Sequence, residues 1–547
     1  MKKKVKKITN YFLDNKYKIV SVILLLIFFT YLYFQINLLV TYDGAYYHSY
    51  LGYFNGLYPF SNWDAVRGPG FPLILLIIIK LFGDTGFGVL FGLYLFEISF
   101  IILSYYVIKR VLNENNYDVP NYIKVLFILL IILNPYIVGY SHSLLTESII
   151  PLFYILVGII CLNIYKLKYK DDKNKYLIES TLLCLLSVII YLIKQPYAPA
   201  AWMAIFITAI LSGIYFKSIR VFFSKSLIFV IAIVMTIVSV NGWNLFLKAN
   251  GKIDEKTTTG LISGFTNGMP YHFKKQQLDD YCSDNILNYY KFNEEDSNKI
   301  SELILESNDN TSWCSFVDIY NVYDLEMNYI ESDALFKPKG YITIGETIKY
   351  LLRMYINHPI LSFHSYYKNY LAIVDLVNVT DIFSDYTPNG GITYDVSREN
   401  DGIAMSIYFV GVSNVFWNHQ ENYVFPEHFP GYPPDTMKDY VNVTTNNSHV
   451  STLFKLVEPL AKFTFKFLMS CSLLFFIYGL INYIKHGKKQ IYFVMILFSG
   501  MAVVSTVFNA LYAANIDRYI YANYTLMLIV LLLTLINKKD LLKEVKK

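Results

Sequence analysis

The chain has 547 residues, 54% of them hydrophobic and only 16% charged, with a mean hydropathy of +0.37. A soluble globular chain carries roughly 25% charged residues, and apolar runs such as Ile19–Val40 and Ser226–Leu247 reach the ~20 residues that cross a bilayer as a helix. These features exclude a soluble enzyme, a nucleic-acid-binding module and a disordered scaffold, and a net charge of +5 gives no case for a nucleic-acid partner.

In chain order, the N-terminal lysines Lys2–Lys4, Lys6 and Lys7 precede an apolar run that ends at Thr41-Tyr42-Asp43. The run is too long for a signal-peptide core and lacks a small-residue cleavage site, so it is expected to be an uncleaved first helix. Further basic clusters lie at Lys109-Arg110, Lys166–Lys175, Lys217–Lys225, Lys485–Lys489 and Lys538–Lys547. Short cytoplasmic loops collect Lys and Arg. Two spans between consecutive clusters would place all of them on one side, with both termini cytoplasmic. The expected spans are 18–40, 86–108, 123–140, 148–165, 177–194, 198–216, 226–247, 460–484, 491–511 and 519–537.

The expected fold is therefore an all-α polytopic membrane protein of about ten transmembrane helices with outer-face juxtamembrane helices. Phe71–Phe82 is too short to span and reads as a re-entrant or interface-lying outer helix; one kinked span with its neighbour is the alternative. Residues 1–247 form an N-terminal transmembrane module with its first outer loop at 41–85. Residues 248–458 turn polar, have the length of an ordinary domain, and are expected to form a mixed extracytoplasmic domain. Gly345–Leu371 reads there as helix, Thr387–Tyr394 and Pro426–Pro434 as loops. Residues 459–547 supply the last transmembrane helices. Of the five cysteines, Cys161, Cys184 and Cys471 read as core residues, and Cys282 and Cys314 sit where they could pair.

The first outer loop carries the sharpest chemical signal. It runs Tyr42-Asp43-Gly44-Ala45-Tyr46-Tyr47-His48, then Trp63-Asp64-Ala65-Val66-Arg67-Gly68-Pro69-Gly70-Phe71-Pro72. A carboxylate at the end of a span is costly unless wetted, paired or used. Asp43 thus suits a general base beside the membrane, with a helix N-cap as the bland alternative. Arg67 has a planar fork that fits phosphate oxygens; snorkelling, or pairing with Asp64, is its alternative. Tyr46 and His48 are further candidate substrate contacts, although His48 taken alone reads as a helix-surface residue. Glu147 is a second carboxylate at an outer boundary, with capping of the following helix as its structural reading. Lys194 in Lys194-Gln195-Pro196, and Asp517 and Arg518 before Tyr519, place charge at two more outer helix ends. Singly each has a structural explanation. Together they would build a site for an anionic lipid headgroup and a proton acceptor.

The order of these residues resembles the C-type superfamily of integral-membrane glycosyltransferases, which use polyprenyl-phosphate sugars. The resemblance is to the branch of protein mannosyltransferases and lipid A aminoarabinose transferases. It rests on Asp43 after the first span, the Ala45–Gly56 stretch and Arg67-Gly68-Pro69-Gly70-Phe71-Pro72 before a short apolar helix. Asn134-Pro135, Thr146-Glu147, Lys194-Gln195-Pro196 and Asp517-Arg518-Tyr519 continue it. It covers roughly residues 1–250 and 455–540. Gly44 stands where protein mannosyltransferases carry a second acid, which argues against that subgroup, and Arg67 replaces a lysine.

The resemblance implies that Asp43 is the catalytic base, Glu147 the second acid and Arg67 a phosphate contact, with Lys194 or Arg518 assisting. The implied partners are a polyprenyl-phosphate sugar donor, a hydroxyl acceptor (protein, lipid or surface polymer) and membrane lipids, without nucleic acid. The superfamily admits a divalent metal, yet the outer loops contain no clustered His, Cys or Asp-x-Asp pattern and no Gly-rich nucleotide cradle. The competing class is a transporter or flippase of lipid-linked saccharides, which needs ionisable residues in mid-span; Glu97 is the main one. An adhesin or receptor with a membrane anchor would leave most spans without a purpose.

Overall fold

The computed structural model describes residues 16–251 and 448–545, apart from short breaks at 37, 39–41, 64–66, 116–119, 488 and 513–517, and a few positions between 359 and 374. The expected domain at 248–458, with Cys282 and Cys314, therefore lies almost wholly outside the described residues. Positions 359, 363, 367, 370, 371 and 373 are helical, in and just past the stretch read as helix.

The described chain is all-helical, without a β-strand. The N-terminal part contains α1 (Lys16–Tyr33), α2 (Tyr42–Ser49), α3 (Leu51–Phe54), α4 (Gly70–Phe82), α5 (Gly86–Glu114), α6 (Asn121–Ile132) and α7 (Pro135–Ser141). It continues with α8 (Ile150–Tyr165), α9 (Lys173–Ile193), α10 (Ala198–Phe216) and α11 (Ile219–Ala249). The C-terminal part contributes α12 (Ser448–Ser470), α13 (Ser472–Lys485), α14 (Gln490–Tyr512) and α15 (Arg518–Val545).

Among the described residues six helices are long and apolar enough to cross a membrane, or seven if α12 and α13 count as one span bent by 59°. The helical pieces at Ile23–Tyr33, Gly70–Phe82 and Ile150–Tyr165 are apolar but shorter. Four expected spans, 18–40, 123–140, 148–165 and 460–484, are thus short, broken or bent. At 123–140 the cause is Asn134-Pro135: Pro135 cannot continue α6, and Asn134 Oδ1 caps α7 by accepting from the Tyr136 and Ile137 amides at 3.0 and 3.3 Å. Asn134 Nδ2 also donates to Tyr524 at 2.7 Å, so this pair is explained by packing.

Helices α4 and α5 form an antiparallel hairpin rather than one kinked span. Gly83 turns the chain at φ 95°, a left-handed conformation suited to glycine, and Thr85 caps α5. A Cβ on Gly92 would lie 2.3 Å from the Ile78 side chain, so the two helices touch closely.

Burial sorts the helices. In the most apolar window of α15 83% of residues are buried, but in that of α11 only 22% are, and Phe223, Leu227, Val234 and Val238 of α11 point outward. An apolar helix with an apolar exposed face belongs in lipid.

The charges divide the bundle into two ends. Arg110 donates to Asn163, which donates to Glu179 at 2.8 Å, and Lys166 pairs with Glu114 at 3.6 Å. Lys168 sits over the Phe216 ring, and the Tyr165 and Tyr483 hydroxyls meet at 2.6 Å. The basic clusters at 109–110, 166–175, 217–225 and 485–489 therefore share one end, as their spacing implied. Lys225 is buried at that end and donates to the Ile164 and Tyr165 carbonyls and to Ser212 Oγ. It satisfies the last carbonyls of α8, where the helix dipole favours a cation. Lys225→Met should lower the thermal midpoint in detergent, with a cost of about 1–3 kcal/mol for the carbonyls left without a donor.

Candidate functional site

The opposite end gathers the first outer loop, the start of α4, the Thr146–Ser148 turn and the end of α9. Arg67 is positioned by its surroundings on both sides. Trp63, fully buried, donates from Nε1 to the Arg67 carbonyl at 2.9 Å. Trp63 is itself packed among Tyr50, Tyr53, Phe54 and Phe60, and against Trp243 of α11. The Arg67 guanidinium lies over the Tyr47 ring, 5.0 Å from its centroid, and Tyr47 meets Phe71 edge-on. The alternative pairing with Asp64 falls on a residue outside the described ones.

After Arg67 the chain runs tightly against the end of α9. A Cβ on Gly68 would fall 2.2 Å from the Leu192 carbonyl oxygen, and one on Gly70 would fall 2.6 Å from the Ile193 amide nitrogen. Only glycine permits this approach. It brings Arg67 within a few residues of Lys194 and joins two motifs that are more than 120 positions apart.

Glu147 and Lys194 meet. The carboxylate is only 1% exposed, and its Oε1 lies 3.7 Å from Lys194 Nζ. Its Oε1 accepts from the Tyr197 hydroxyl at 2.7 Å and its Oε2 from the Thr146 hydroxyl at 2.9 Å. The helix α8 begins with Ile149 at its cap position, without a side-chain cap. Glu147 is thus not a capping residue. Tyr197 was not singled out by the sequence, although Pro196 holds it and Lys194 in one turn, which is the signal that could have found it. Tyr154 of α8 pins that turn by donating to the Tyr197 carbonyl at 2.8 Å.

Of the remaining expected site residues, only His48 has a described side chain. His48 is buried rather than on a helix surface, because its Nε2 lies 3.2 Å from Asp84 Oδ1 in the α4–α5 turn. That contact ties α2 to the hairpin. Asp43 stands in the first turn of α2, and Arg518 opens α15. The side chains of Asp43, Tyr46 and Arg518, and all of Asp517, lie outside the described residues.

His142 links α1 to this end, with Nε2 2.8 Å from the Tyr33 carbonyl and Nδ1 2.7 Å from that of Val138. Burial pushes the imidazole down to about 4, with both carbonyls pulling the other way. Compared with protein-family models, with curated proteins and with solved structures, the chain matches none.

A divalent metal, which the resemblance admits, has no grouped ligands among the described residues. No three His, Cys, Asp or Glu side chains group there. Both oxygens of Glu147 face hydroxyl donors, and its charged neighbour is a cation. What the cluster offers is positive charge: a guanidinium and an ammonium held at one end of the bundle, with a buried carboxylate behind the ammonium. Such groups suit an oxyanion such as a phosphate.

Proposed function

We propose that this chain is an integral-membrane glycosyltransferase of about ten spans with both termini cytoplasmic. It moves a sugar from a polyprenyl-phosphate donor to a hydroxyl acceptor at the extracytoplasmic face. The observation that carries the reading is the interlock of Gly68–Gly70 with Leu192–Ile193, which draws Arg67 towards the Lys194–Glu147 pair. This cluster sits at the end of the bundle away from the basic loops, the end that the positive-inside rule assigns to the outside. Ten spans result if the shorter helices Ile23–Tyr33 and Ile150–Tyr165, the pair α6 and α7, and the bent α12–α13 pair each cross beside the six long helices.

In this reading Arg67 and Lys194, with Arg518, hold the lipid phosphate. Asp43 takes the proton of the acceptor hydroxyl as the acceptor oxygen bonds to the anomeric carbon. The bond from that carbon to the phosphate oxygen breaks with its electron pair, the cations stabilise the departing phosphate, and attack from the opposite face inverts the configuration. Membranes containing the chain should transfer radiolabel from a polyprenyl-phosphate sugar to non-lipid or lipid acceptor material. Arg67→Gln should reduce that transfer by on the order of 10²-fold, the usual loss for one group that stabilises developing charge. Transfer at the wild-type rate would remove Arg67 from the site.

One observation favours a transporter as the second reading. Glu97 is buried in α5 at 2% exposure, its Oε1 has no hydrogen-bond partner among the described residues, and it interacts electrostatically with Tyr33 and Tyr521. Intramembrane acids mark transport pathways. Labelled saccharide that crosses sealed vesicles unchanged, without a covalent product, would select this reading over the enzyme.

A further inference from the structure

Lys194 and Tyr197 approach the same oxygen of the same carboxylate. They stand at the two ends of the Gln195–Tyr197 turn, in which the Tyr197 amide donates to the Lys194 carbonyl at 3.2 Å. The Tyr197 hydroxyl reaches Glu147 Oε1 at 2.7 Å, a short hydrogen bond. The Lys194 ammonium stays 3.7 Å from that oxygen, beyond hydrogen-bond length, and its side chain is 13% exposed while that of Glu147 is 1% exposed. Thr146 fixes the second oxygen, and Tyr154 fixes the backbone that carries Tyr197.

A proton-transfer group needs an oxygen that can reach the substrate, and both oxygens here are turned to buried hydroxyls. We infer that Glu147 is a positioning residue rather than a proton-transfer group: a fixed counter-charge behind Lys194, whose hold on the ammonium is limited by the Tyr197 hydroxyl. This deepens the reading of Lys194 as a phosphate contact and rests on that reading for its biological use. With its hydroxyl on Oε1, Tyr197 keeps the carboxylate from closing on the ammonium, whose side chain stays partly exposed. Removing the hydroxyl frees Oε1 to draw Lys194 inward. Removing the carboxylate charge weakens the hold on Lys194. Both changes act through one atom, so they cannot add.

The test reads Lys194 directly. Full-length chain in phosphatidylcholine nanodiscs is trace-acetylated with acetic anhydride between neutral pH and about pH 10, near the ordinary lysine range. Labelling of each lysine is quantified by peptide mass spectrometry. Glu147→Gln should raise labelling of Lys194 by on the order of tenfold, because loss of the counter-charge favours the free amine. Tyr197→Phe should lower it below wild type, and the double variant should match Glu147→Gln alone. Lys168, at the far end over Phe216, should not change in any variant.

Unchanged Lys194 labelling in Glu147→Gln, or an equal drop from Tyr197→Phe with and without the carboxylate, would overturn the inference. Should Glu147→Gln fail to fold, Tyr197→Phe decides alone, and unchanged or increased labelling sinks the idea. Adding a C55 polyprenyl phosphate to the nanodiscs separates the two claims. Protection of Lys194 supports the lipid-phosphate reading. No protection, with the variants behaving as expected, removes that reading and leaves the role of Glu147 standing.

Discussion

Asp43→Asn should reduce transfer from a polyprenyl-phosphate sugar by on the order of 10²–10⁴-fold, the contribution of a positioned general base. The amide has nearly the same size and shape but cannot take the acceptor proton. Position 43 lies in the first turn of α2, the helix whose Tyr47 ring lies beneath Arg67 and against Phe71. His48, on the same helix, is held by Asp84. The base would therefore ride on an element already braced against the phosphate contacts. Membrane insertion and the thermal midpoint should match those of the wild-type chain, since the change adds no bulk. Transfer at the wild-type rate by a folded Asp43→Asn protein would exclude Asp43 as the base.

Gly68→Ala should damage both stability and ligand binding. The new Cβ would lie 2.2 Å from the Leu192 carbonyl oxygen, which is backbone and cannot rotate away. The segment or the end of α9 must move, at a cost of about 1–3 kcal/mol by analogy with overpacked cores. Either movement separates Arg67 from Lys194, so binding of polyprenyl phosphate, read by native mass spectrometry, should fall along with the thermal midpoint. Gly242→Ala is the matching control, because a Cβ there meets nothing within 4 Å. In the middle of α11 that substitution should be neutral, or stabilising by roughly 0.5–1 kcal/mol. If Gly68→Ala behaves like Gly242→Ala, the interlock does not hold the site together.

The bundle's two-ended charge pattern was legible in the chain because hydropathy and Lys/Arg placement are local properties. Clusters such as Lys109-Arg110 and Lys166–Lys175 come to one end because each pair of helices between them returns the chain to that end. The breaks were less legible. Asn134 caps α7 and binds Tyr524, a partner 390 positions away that no local pattern names. His48 taken alone reads as a helix-surface residue, yet it is buried and meets Asp84 of the turn after α4.

The sequence by itself determined a lipid-embedded helical protein and put Arg67, Glu147 and Lys194 at helix ends, because charge in hydrocarbon is costly and therefore rare there. Only the tertiary structure decided that Glu147 meets Lys194 and Tyr197, and that Arg67 is drawn towards them. Those meetings depend on the close approach of two glycines to a distant helix end and on which hydroxyl fills the last site on a buried oxygen. Such contacts are set by packing between segments far apart in the chain, and no local pattern of residues encodes them.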